Sequence, residues 1–324
     1  MHGTLVGIVG PTATGKTAVG IELAKELNGE IISADSMAVY KGMDIGTAKP
    51  TAEEQAEVPF HLINVVSPDE EFSVAEFKQL AEEAIADILS RGKLPILVGG
   101  TGLYVRAVMG GLNIPAVGPD RNLREQLKAE AEQFGNEYLL EKLRTVDPVT
   151  AARLHINDLK RIIRALEVHI LTGHPISHFH ETAGTMDVAY DVHLFGLTMD
   201  RNALYERINL RVDEQIKEGL VEEVRGLLKK EYSPELSSMR GLGYKQIIGY
   251  ILGEYDLDIA IDLLKRDTRR FAKRQFTWFR ADPSIRWIDV EGRNAVEVAN
   301  EISALLKSKP SGPEYATLIH VRKE

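Results

Sequence analysis

The sequence feature that most constrains the fold is a short segment near the amino terminus. Residues 10–17 read GPTATGKT and fit the pattern G-x-x-x-x-G-K-[ST] in full. The segment follows an apolar run, Thr4–Val9, that is typical of a buried strand, and it precedes a helical pattern from about Thr17 to Leu27. A strand, a glycine-rich turn and a helix in this order predict a loop that wraps phosphate groups, so we expect a di- or triphosphate to bind here.

The residue types in this loop each suit phosphate binding. The two glycines let backbone N–H groups converge on phosphate oxygens, and the helix amino terminus adds a favourable dipole. Lys16 supplies a positive charge at the terminal phosphates, and the Thr17 hydroxyl is suited to ligate Mg²⁺, which we expect as the cofactor. The predicted phosphate-binding residues are Gly10, Pro11, Thr12, Ala13, Thr14, Gly15, Lys16 and Thr17.

The loop alone leaves the reaction open. Proteins that hydrolyse nucleoside triphosphates usually carry an apolar strand that ends in an Asp supporting Mg²⁺. The best candidate strand, Pro95–Val98, ends instead in Gly99 and Gly100, and Asp69 lies in a predicted turn. Hydrolysis is therefore disfavoured. Two alternatives remain, which are phosphoryl transfer from a nucleotide and transfer of the organic group of an organic diphosphate.

Strand-like runs alternate with helical patterns along the rest of the chain, which predicts an α/β fold with a P-loop NTPase-like core and a mostly parallel sheet. We expect a catalytic core from residues 1–114 and 191–307, a helical insertion domain from residues 115–190, and a flexible tail from 308–324. Further predicted strands are Glu30–Ser33, Leu62–Val66, Leu94–Val98, Asp191–Leu197 and Arg286–Ile288. Further predicted helices are Val74–Leu89, Asn122–Phe134, Asn136–Thr145, Asp158–Leu171, Arg201–Glu218, Val221–Lys229, Lys245–Leu252, Ile259–Phe279 and Ala295–Leu306.

Composition excludes several classes of protein. The chain of 324 residues has no Cys, which rules out disulfides, a thiolate nucleophile and Cys-ligated zinc. It has no apolar run of about 18 residues and no signal-peptide pattern, so we expect a cytoplasmic protein with no membrane partner. The net charge of −9 argues weakly against a nucleic-acid partner, but basic residues can be concentrated on one face.

One segment reverses that charge balance. Residues 265–280 read KRDTRRFAKRQFTWFR, with seven basic residues, one acid and four aromatic residues. A helix of this composition suits RNA, since cations contact phosphates and aromatic rings stack on bases. The aromatic residues by themselves are better explained by packing into the core, whereas the basic cluster favours RNA.

Asp35 lies directly after the second predicted strand, at the sheet edge that also carries the phosphate loop. A carboxylate beside a phosphate site is suited to act as a general base. An Asp at this position fits a helix N-cap or a turn equally well, so both interpretations stay open on the residues alone.

Four segments together resemble the tRNA isopentenyltransferase family, whose members are tRNA dimethylallyltransferases. Many enzymes share the phosphate loop, whereas the long segment at residues 34–50 is characteristic of this family. The similarity runs from about residue 3 to residue 306. The four segments are GPTATGKT, ADSMAVYKGMDIGTAKP at residues 34–50, GGTGLY at residues 99–104, and KRQFTWFR at residues 273–280.

The resemblance implies a Mg²⁺-assisted prenyltransferase. Such enzymes transfer a dimethylallyl group from dimethylallyl diphosphate to N6 of the adenosine immediately 3′ of the anticodon, in tRNAs that read codons beginning with U. It implies that the phosphate loop holds the diphosphate leaving group, that Asp35 accepts the N6 proton, and that Thr101 lies beside the diphosphate and the adenine. Arg211 matches a family arginine that contacts the diphosphate, while Arg207 lies only one helical turn away.

The resemblance also implies an extended contact with the anticodon stem-loop of tRNA, and we expect the chain to act as a monomer. Lys160 and Arg161 fit solvated surface charges equally well. The residues predicted to contact tRNA are Asp35, Ser36, Met37, Ala38, Thr101, Arg124, Leu159, Lys160, Arg161, Ile162, Ile163, Arg240, Gly243, Tyr244, Lys245, Lys273, Arg274, Gln275, Trp278 and Arg280.

Three alternative functions share parts of this pattern. A kinase of a nucleotide or small molecule uses the same loop but gives the basic helix no role. An RNA-binding module with a vestigial loop is disfavoured by the intact Lys16, Thr17 and Asp35. An adenylate isopentenyltransferase shares the front motifs, so the basic cluster and the predicted insertion decide for tRNA.

Overall fold

A six-stranded sheet forms the centre of the protein, and all its neighbouring strands pair in parallel. The computed structural model describes residues 3–110, 112–115, 117–181 and 190–308. The strands are β1 (Gly3–Val9), β2 (Gly29–Ser33), β3 (Phe60–His61), β4 (Leu94–Gly99), β5 (Tyr190–Thr198) and β6 (Arg286–Asp289). Their order across the sheet is β3-β2-β4-β1-β5-β6. The predicted α/β class with a parallel sheet is therefore confirmed.

Fourteen helices lie within the described ranges. Ten of them match the predicted helices within two residues at each end. The other four, α2, α4, α7 and α9 below, were not predicted; they have eight residues or fewer, and helices this short give little periodicity. No helix of these ranges is both long and apolar enough to cross a bilayer. The helices are α1 (Lys16–Leu27), α2 (Ala52–Glu57), α3 (Val74–Ser90), α4 (Gly102–Met109), α5 (Arg121–Phe134), α6 (Asn136–Val146), α7 (Pro148–Ala151), α8 (Leu159–Thr172), α9 (Ile176–Glu181), α10 (Arg201–Glu218), α11 (Leu220–Lys229), α12 (Tyr244–Ile251), α13 (Leu257–Arg280) and α14 (Ala295–Lys307).

Alternate residues of β1 enter two different hydrophobic clusters. Val6 and Ile8 pack with residues of α1, α10 and α14, whereas Leu5 and Val9 pack with residues of α3 and α4. This division arises because successive side chains of a strand point to opposite faces of the sheet. Both faces are thus covered by helices, which explains why the central strands are continuous apolar runs.

The predicted strand at Leu62–Val66 is wrong, and the edge strand is the dipeptide Phe60–His61. Leu62 and Asn64 have φ values of 60° and 55°, which are left-handed and interrupt an extended strand. The following residues turn toward the segment after β2, where the Val65 N–H donates to the Val39 carbonyl at 2.7 Å. This apolar run therefore forms a loop that packs against the segment after β2, and it does not form a strand of the sheet.

Helices α5 to α9 have a hydrophobic core of their own. Its buried residues come from positions 127–166, and partly buried residues between 123 and 176 pack against it. The fully buried Glu167 carboxylate accepts hydrogen bonds from Arg124, from Arg164 and from the Asp120 backbone N–H, which ties α8 to the start of α5. The insertion domain at residues 115–190 stays a prediction, and the predicted tail lies outside the described residues except for Ser308.

Helices α10 to α13 pack over the segment that follows β2. Val39, Tyr40 and Met43 of that segment share a buried cluster with residues of α10, α11, α12 and α13. The carboxyl-terminal half of the chain therefore covers the edge of the sheet where the phosphate loop emerges.

A buried carboxylate network stabilises the opposite edge. The Glu30 side chain at the start of β2 is only 2% exposed, and it accepts two hydrogen bonds from the Arg91 guanidinium and one from Lys93 at 2.7 Å. His61 Nε2 lies 2.8 Å from the same carboxylate. The hydrogen bonds from Arg91 hold the pKa of Glu30 well below its usual range, against the opposing effect of burial.

Replacing Glu30 with Gln is expected to lower the free energy of unfolding by about 2 kcal/mol, because the buried Gln amide no longer neutralises Arg91 and Lys93 and its NH₂ group opposes their N–H donors. Since the folded-state pKa of Glu30 is depressed, its contribution is fully present above the unfolded-state value near 4.5 and is lost progressively as the pH falls from there toward the folded-state pKa. Urea unfolding at pH 7 and at pH values well below 4.5 measures both effects. Asp87→Asn, which removes an exposed partner of Arg91, is the control and should change stability by less than about 1 kcal/mol. Equal effects of the two substitutions would contradict the buried network.

Candidate active site

The carboxyl ends of β1, β2 and β4 bring the predicted catalytic residues to one edge of the sheet. Because these strands are parallel neighbours, the phosphate loop, Asp35 and Thr101 emerge side by side. The Thr101 backbone N–H donates to the Ala34 carbonyl at 3.1 Å, and the Ser36 N–H donates to the Thr101 hydroxyl at 3.0 Å. A Cβ at Gly99 would lie 2.2 Å from the Ala34 carbonyl oxygen, so only glycine permits this approach.

The phosphate loop has the backbone conformations that an anion cradle needs. Gly10, Ala13 and Gly15 have φ values of 138°, 66° and 86°, all in the left-handed range. Helix α1 begins at Lys16 without a side-chain cap, so the N–H groups of its first turn are free to bind an anion. The space where a Cβ of Gly15 would point is open to 4 Å. The loop therefore presents donors to an accessible space.

Two desolvated cations face the phosphate loop. Burial and the nearby charge of Arg211 lower the pKa of Lys16 to about 7, although Asp35 acts in the opposite direction. Burial likewise lowers the pKa of Arg211. The Lys16 ammonium donates to the Pro11 carbonyl at 2.6 Å, inside the loop itself. A site that brings two partly desolvated cations together gains when an anion binds between them.

Arg211, rather than Arg207, lies against the phosphate loop. Its guanidinium is 3.4 Å from the Thr12 hydroxyl oxygen. Two cavities lie at this edge of the sheet, of about 420 Å³ and about 800 Å³, and Arg211 borders both. Arg207 is exposed and borders only the larger of the two. The structure thus places Arg211, and not Arg207, beside the phosphate loop, and its contact with a diphosphate stays a prediction.

Gln275 of α13 joins the phosphate loop to the end of β4. Its side chain is buried, its oxygen accepts a hydrogen bond from the Thr12 N–H at 2.8 Å, and its amide nitrogen donates to the Gly100 carbonyl at 3.0 Å. The oxygen and the nitrogen of the amide thus each bind a backbone group inside the protein. The buried side chain positions the phosphate loop and the end of β4, and the predicted contact of Gln275 with tRNA stays a prediction.

The smaller cavity, of about 420 Å³, brings together residues from the whole sheet edge. Thr12, Asp35, Thr101 and Arg211 all border it. The Asp35 carboxylate accepts a hydrogen bond from the Met37 N–H at 2.8 Å, so it closes a turn and faces the cavity at once. Both interpretations of Asp35 that the sequence left open are therefore compatible with its position.

The seven basic residues at positions 265–280 of α13 fall into two groups, those with a partner inside the protein and those with no carboxylate partner in the described ranges. Lys273, Arg274 and Arg280 are exposed and have no carboxylate partner in the described ranges. Arg270 and Arg274 also border the smaller cavity. The other four cations pair within the protein: Lys265 and Asp213, Arg266 and Arg270 with Asp267, and Arg269 with Asn209. The carboxyl-terminal half of the helix thus carries the cations that are available to a polyanion.

The aromatic residues of α13 divide in the same way. Phe279 is buried, and Phe276 stacks on Trp287 with ring centroids 5.4 Å apart, so packing is confirmed for these two. Trp278 is 47% exposed, and its indole lies where a Cβ of Gly102 would be. Its exposed ring stands beside the start of α4 and suits base stacking.

Several predicted tRNA-contact residues have buried side chains. Ile162 and Ile163 belong to the core of α5 to α9, and Tyr244, at the start of α12, is fully buried in the cluster that α10 to α13 form with residues 39–43. Ala38 is 4% exposed. Their side chains serve packing, so any RNA contact by these segments falls to exposed neighbours such as Lys160, Arg161 and Lys245.

Two predicted arginines are engaged in ion pairs. Arg124 makes a bidentate pair with the buried Glu167, at 2.8 Å and 2.9 Å. Arg240 is exposed and pairs with Glu235. Arg124 is therefore part of the structure of the helical segment, whereas Arg240 has only a surface pair, which is weak.

Protein ligands alone do not form a metal site in the described ranges, since no group of three His, Asp or Glu side chains is arranged to hold an ion. Mg²⁺ in phosphate sites commonly takes few protein ligands and completes its shell with phosphate oxygens and waters. The half-buried Thr17 hydroxyl, next to Lys16 at the start of α1, offers the kind of hard oxygen ligand that this ion prefers. This residue type fits Mg²⁺, and Mg²⁺ as the cofactor stays a prediction.

Sequence reasoning missed one group of site residues. Glu223 of α11 and Gln215 of α10 bind the backbone of residues 44–46, which line the site. Neither belongs to a local motif, so only the distances in the structure identify them.

These features define a class of protein, namely a phosphate-loop α/β transferase whose anion cradle opens into a cavity lined by a carboxylate and by cations. Comparisons with known proteins specify the class. The "IPP transferase" family model matches residues 38–282, and the "Isopentenyl transferase" model matches residues 3–64. The chain therefore belongs to the IPP transferase family, as its motifs indicated.

Individual relatives agree with this assignment. The tRNA dimethylallyltransferase of Desulforudis audaxviator is 57% identical over 287 residues, which are 89% of this chain and 92% of that protein. The crystal structure of the tRNA isopentenylpyrophosphate transferase of Bacillus halodurans is 45% identical, with a TM-score of 0.69 over 98% of this chain and 99% of its own. A structure of a eukaryotic dimethylallyltransferase acting on tRNA has a TM-score of 0.81 at 28% identity, over 98% of this chain and 84% of that one.

The depressed pKa of Lys16 predicts that anion binding takes up a proton. With a pKa of about 7 in the free protein, Lys16 is mostly neutral at pH 8, and a bound diphosphate raises the pKa and recharges it. Titration calorimetry of inorganic diphosphate at pH 8, in two buffers of different ionisation enthalpy, is expected to give close to one more proton bound than in Lys16→Arg, whose guanidinium does not titrate. Equal proton uptake by the two proteins would contradict the assignment.

Proposed function

We propose that this protein transfers a dimethylallyl group from dimethylallyl diphosphate to N6 of the adenosine immediately 3′ of the anticodon, giving N6-isopentenyladenosine and diphosphate, and that it acts as a cytoplasmic monomer on tRNAs that read codons beginning with U. The observation that carries the proposal is the smaller cavity, which Thr12, Asp35, Thr101 and Arg211 share. A phosphate loop, a carboxylate and a cation thus meet in one space within the size range of small-ligand sites.

The leaving group is stabilised by the phosphate loop and by two cations. As the allylic C–O bond breaks, negative charge grows on the diphosphate and positive charge on the allyl group. Lys16, Arg211 and the free N–H groups at the start of α1 are positioned to receive that negative charge. Mg²⁺ bound by Thr17 and the diphosphate would supply further charge neutralisation.

Asp35 activates the nucleophile in this proposal. The exocyclic amine of adenine is a weak nucleophile, and it must lose a proton when its N6–C bond forms. The Asp35 carboxylate borders the cavity and is oriented by the Met37 N–H. Thr101, which is hydrogen-bonded to Ser36, holds the neighbouring wall in place.

The exposed surface of α13 supplies the RNA contact. An adenosine stacked in an anticodon loop is out of reach, so it has to be turned out into the cavity. Lys273, Arg274 and Arg280 are available for backbone phosphates, and the half-exposed Trp278 is available for a base. Because Arg274 also borders the cavity, the RNA surface and the reaction site are continuous.

A direct assay tests the proposal. Purified protein is incubated with Mg²⁺, radiolabelled dimethylallyl diphosphate and unmodified tRNA, with AMP or ATP in parallel reactions. Label at the adenosine beside the anticodon is the expected result. Label only in the free nucleotide would assign the chain to adenylate alkylation, and loss of the γ-phosphate of ATP without prenyl transfer would assign it to the kinases.

Asp35→Ala is expected to reduce transfer by at least about a hundredfold while tRNA binding stays largely intact, because it removes the proton acceptor. Asp35→Asn separates the two roles of this residue, since the Asn side chain still accepts the turn hydrogen bond from Met37 but cannot take up the proton. Single-turnover rates and tRNA affinities of both variants make the test. A wild-type single-turnover rate in Asp35→Asn would show that Asp35 only closes the turn and does not accept the proton.

Lys273→Ala combined with Arg274→Ala is expected to weaken tRNA binding and to flatten its salt dependence by about 1.4 in the slope of log K against log salt, if each cation contacts one phosphate of single-stranded RNA. Titrations at several salt concentrations measure the slope. Lys265→Ala, which removes a cation already paired with Asp213, is the matched control and should leave the slope unchanged. An unchanged slope in the double variant would make this face a solvated helix surface.

A further inference from the structure

The Glu223 carboxylate holds three consecutive backbone amides. It accepts hydrogen bonds from the N–H groups of Asp44 and Ile45 at 2.8 Å each and of Gly46 at 3.1 Å. The Tyr244 hydroxyl donates a fourth hydrogen bond to it at 2.7 Å. Only a carboxylate accepts four hydrogen bonds with no donor of its own, so the residue type matches this position closely.

The same loop is held from its other side by α10. The Gln215 amide nitrogen donates to the Ile45 carbonyl at 2.7 Å and to the Gly46 carbonyl at 3.3 Å. Gln215 lies one helical turn beyond Arg211, so both face the site. The buried Tyr244 ring occupies the place of a Gly46 side chain, since a Cβ there would be 2.6 Å from it. Residues 44–46 are therefore fixed through both their N–H and their carbonyl groups.

This loop forms the wall between the two cavities of the site. Gly46 and Thr47 border the smaller cavity, which contains Asp35. Asp44 and Ala48 border the larger cavity, of about 800 Å³, which Ala13 and Gly15 of the phosphate loop also border. Glu223 itself borders neither cavity, so it can act on the reaction only through the position of the loop.

We infer that Glu223 is a positioning residue that keeps the 44–48 loop closed between the two cavities and thereby keeps water away from the allyl group. The inference rests on the proposed function. When the allylic C–O bond breaks, diphosphate leaves with the electron pair, and the carbon accepts a new pair from adenine N6 or from water. Attack by water, followed by loss of a proton, gives dimethylallyl alcohol, so the position of the wall decides between transfer and hydrolysis.

The test measures the ratio of dimethylallyl alcohol to prenylated tRNA from one labelled donor pool. Glu223→Gln is expected to raise this ratio about tenfold, with tRNA affinity within twofold of wild type, because its NH₂ group opposes the loop N–H groups. Glu222→Gln is the matched control: this neighbour on α11 is exposed and pairs only with Arg225. The control should have the wild-type ratio.

A second variant covers the case in which Glu223→Gln does not fold. Tyr244→Phe removes a single hydrogen bond to Glu223 and is expected to raise the ratio in the same direction by a smaller factor. Hydrogen exchange of the peptide that contains residues 44–46 should become faster in both variants and stay unchanged in the control. A faster exchange with an unchanged ratio would overturn the inference, whereas absence of transfer by the wild-type protein would overturn the proposed function instead.

Discussion

The two hydrogen bonds of the Gln275 amide connect the phosphate loop, the end of β4 and helix α13. One end of the amide fixes the phosphate loop at Thr12 and the other fixes the end of β4 at Gly100. A buried amide that lost either partner would be left unsatisfied, which is unfavourable by about 1–3 kcal/mol. Because Arg274 and Trp278 lie on the same helix on either side of Gln275, the exposed basic surface of α13 and the phosphate loop are held in a fixed arrangement.

The protein is acidic overall, but positive charge is concentrated at the phosphate loop. The whole chain carries a net charge of −9, yet its phosphate loop brings Lys16 and Arg211 together in a desolvated site. Their mutual repulsion is unfavourable in the free protein and is relieved by an anionic ligand. Two cations brought together in a desolvated site favour an anionic ligand.

Local motifs were predictable from the sequence, and long-range contacts were not. The phosphate loop and ten of the helices follow from residues close together in the chain, whose spacing reports directly on local structure. Gln275 is 263 positions from Thr12, and Glu223 is 179 positions from Asp44, so no periodicity links them. The strand predicted at Leu62–Val66 was wrong because Leu62 and Asn64 have left-handed backbone conformations, which composition does not reveal.

The Glu30 network lies at the opposite end of β2 from the candidate active site. Glu30 and Asp35 are five residues apart along and just beyond β2, which corresponds to about 16 Å. The network contains its own counter-charges, so little of its field reaches the far edge of the sheet. Stability at low pH therefore depends on the side chains of the Glu30 network, and the reaction depends on a separate group of side chains at the other end of the strands. Substitutions in the network should change the stability at low pH without changing the residues of the candidate active site.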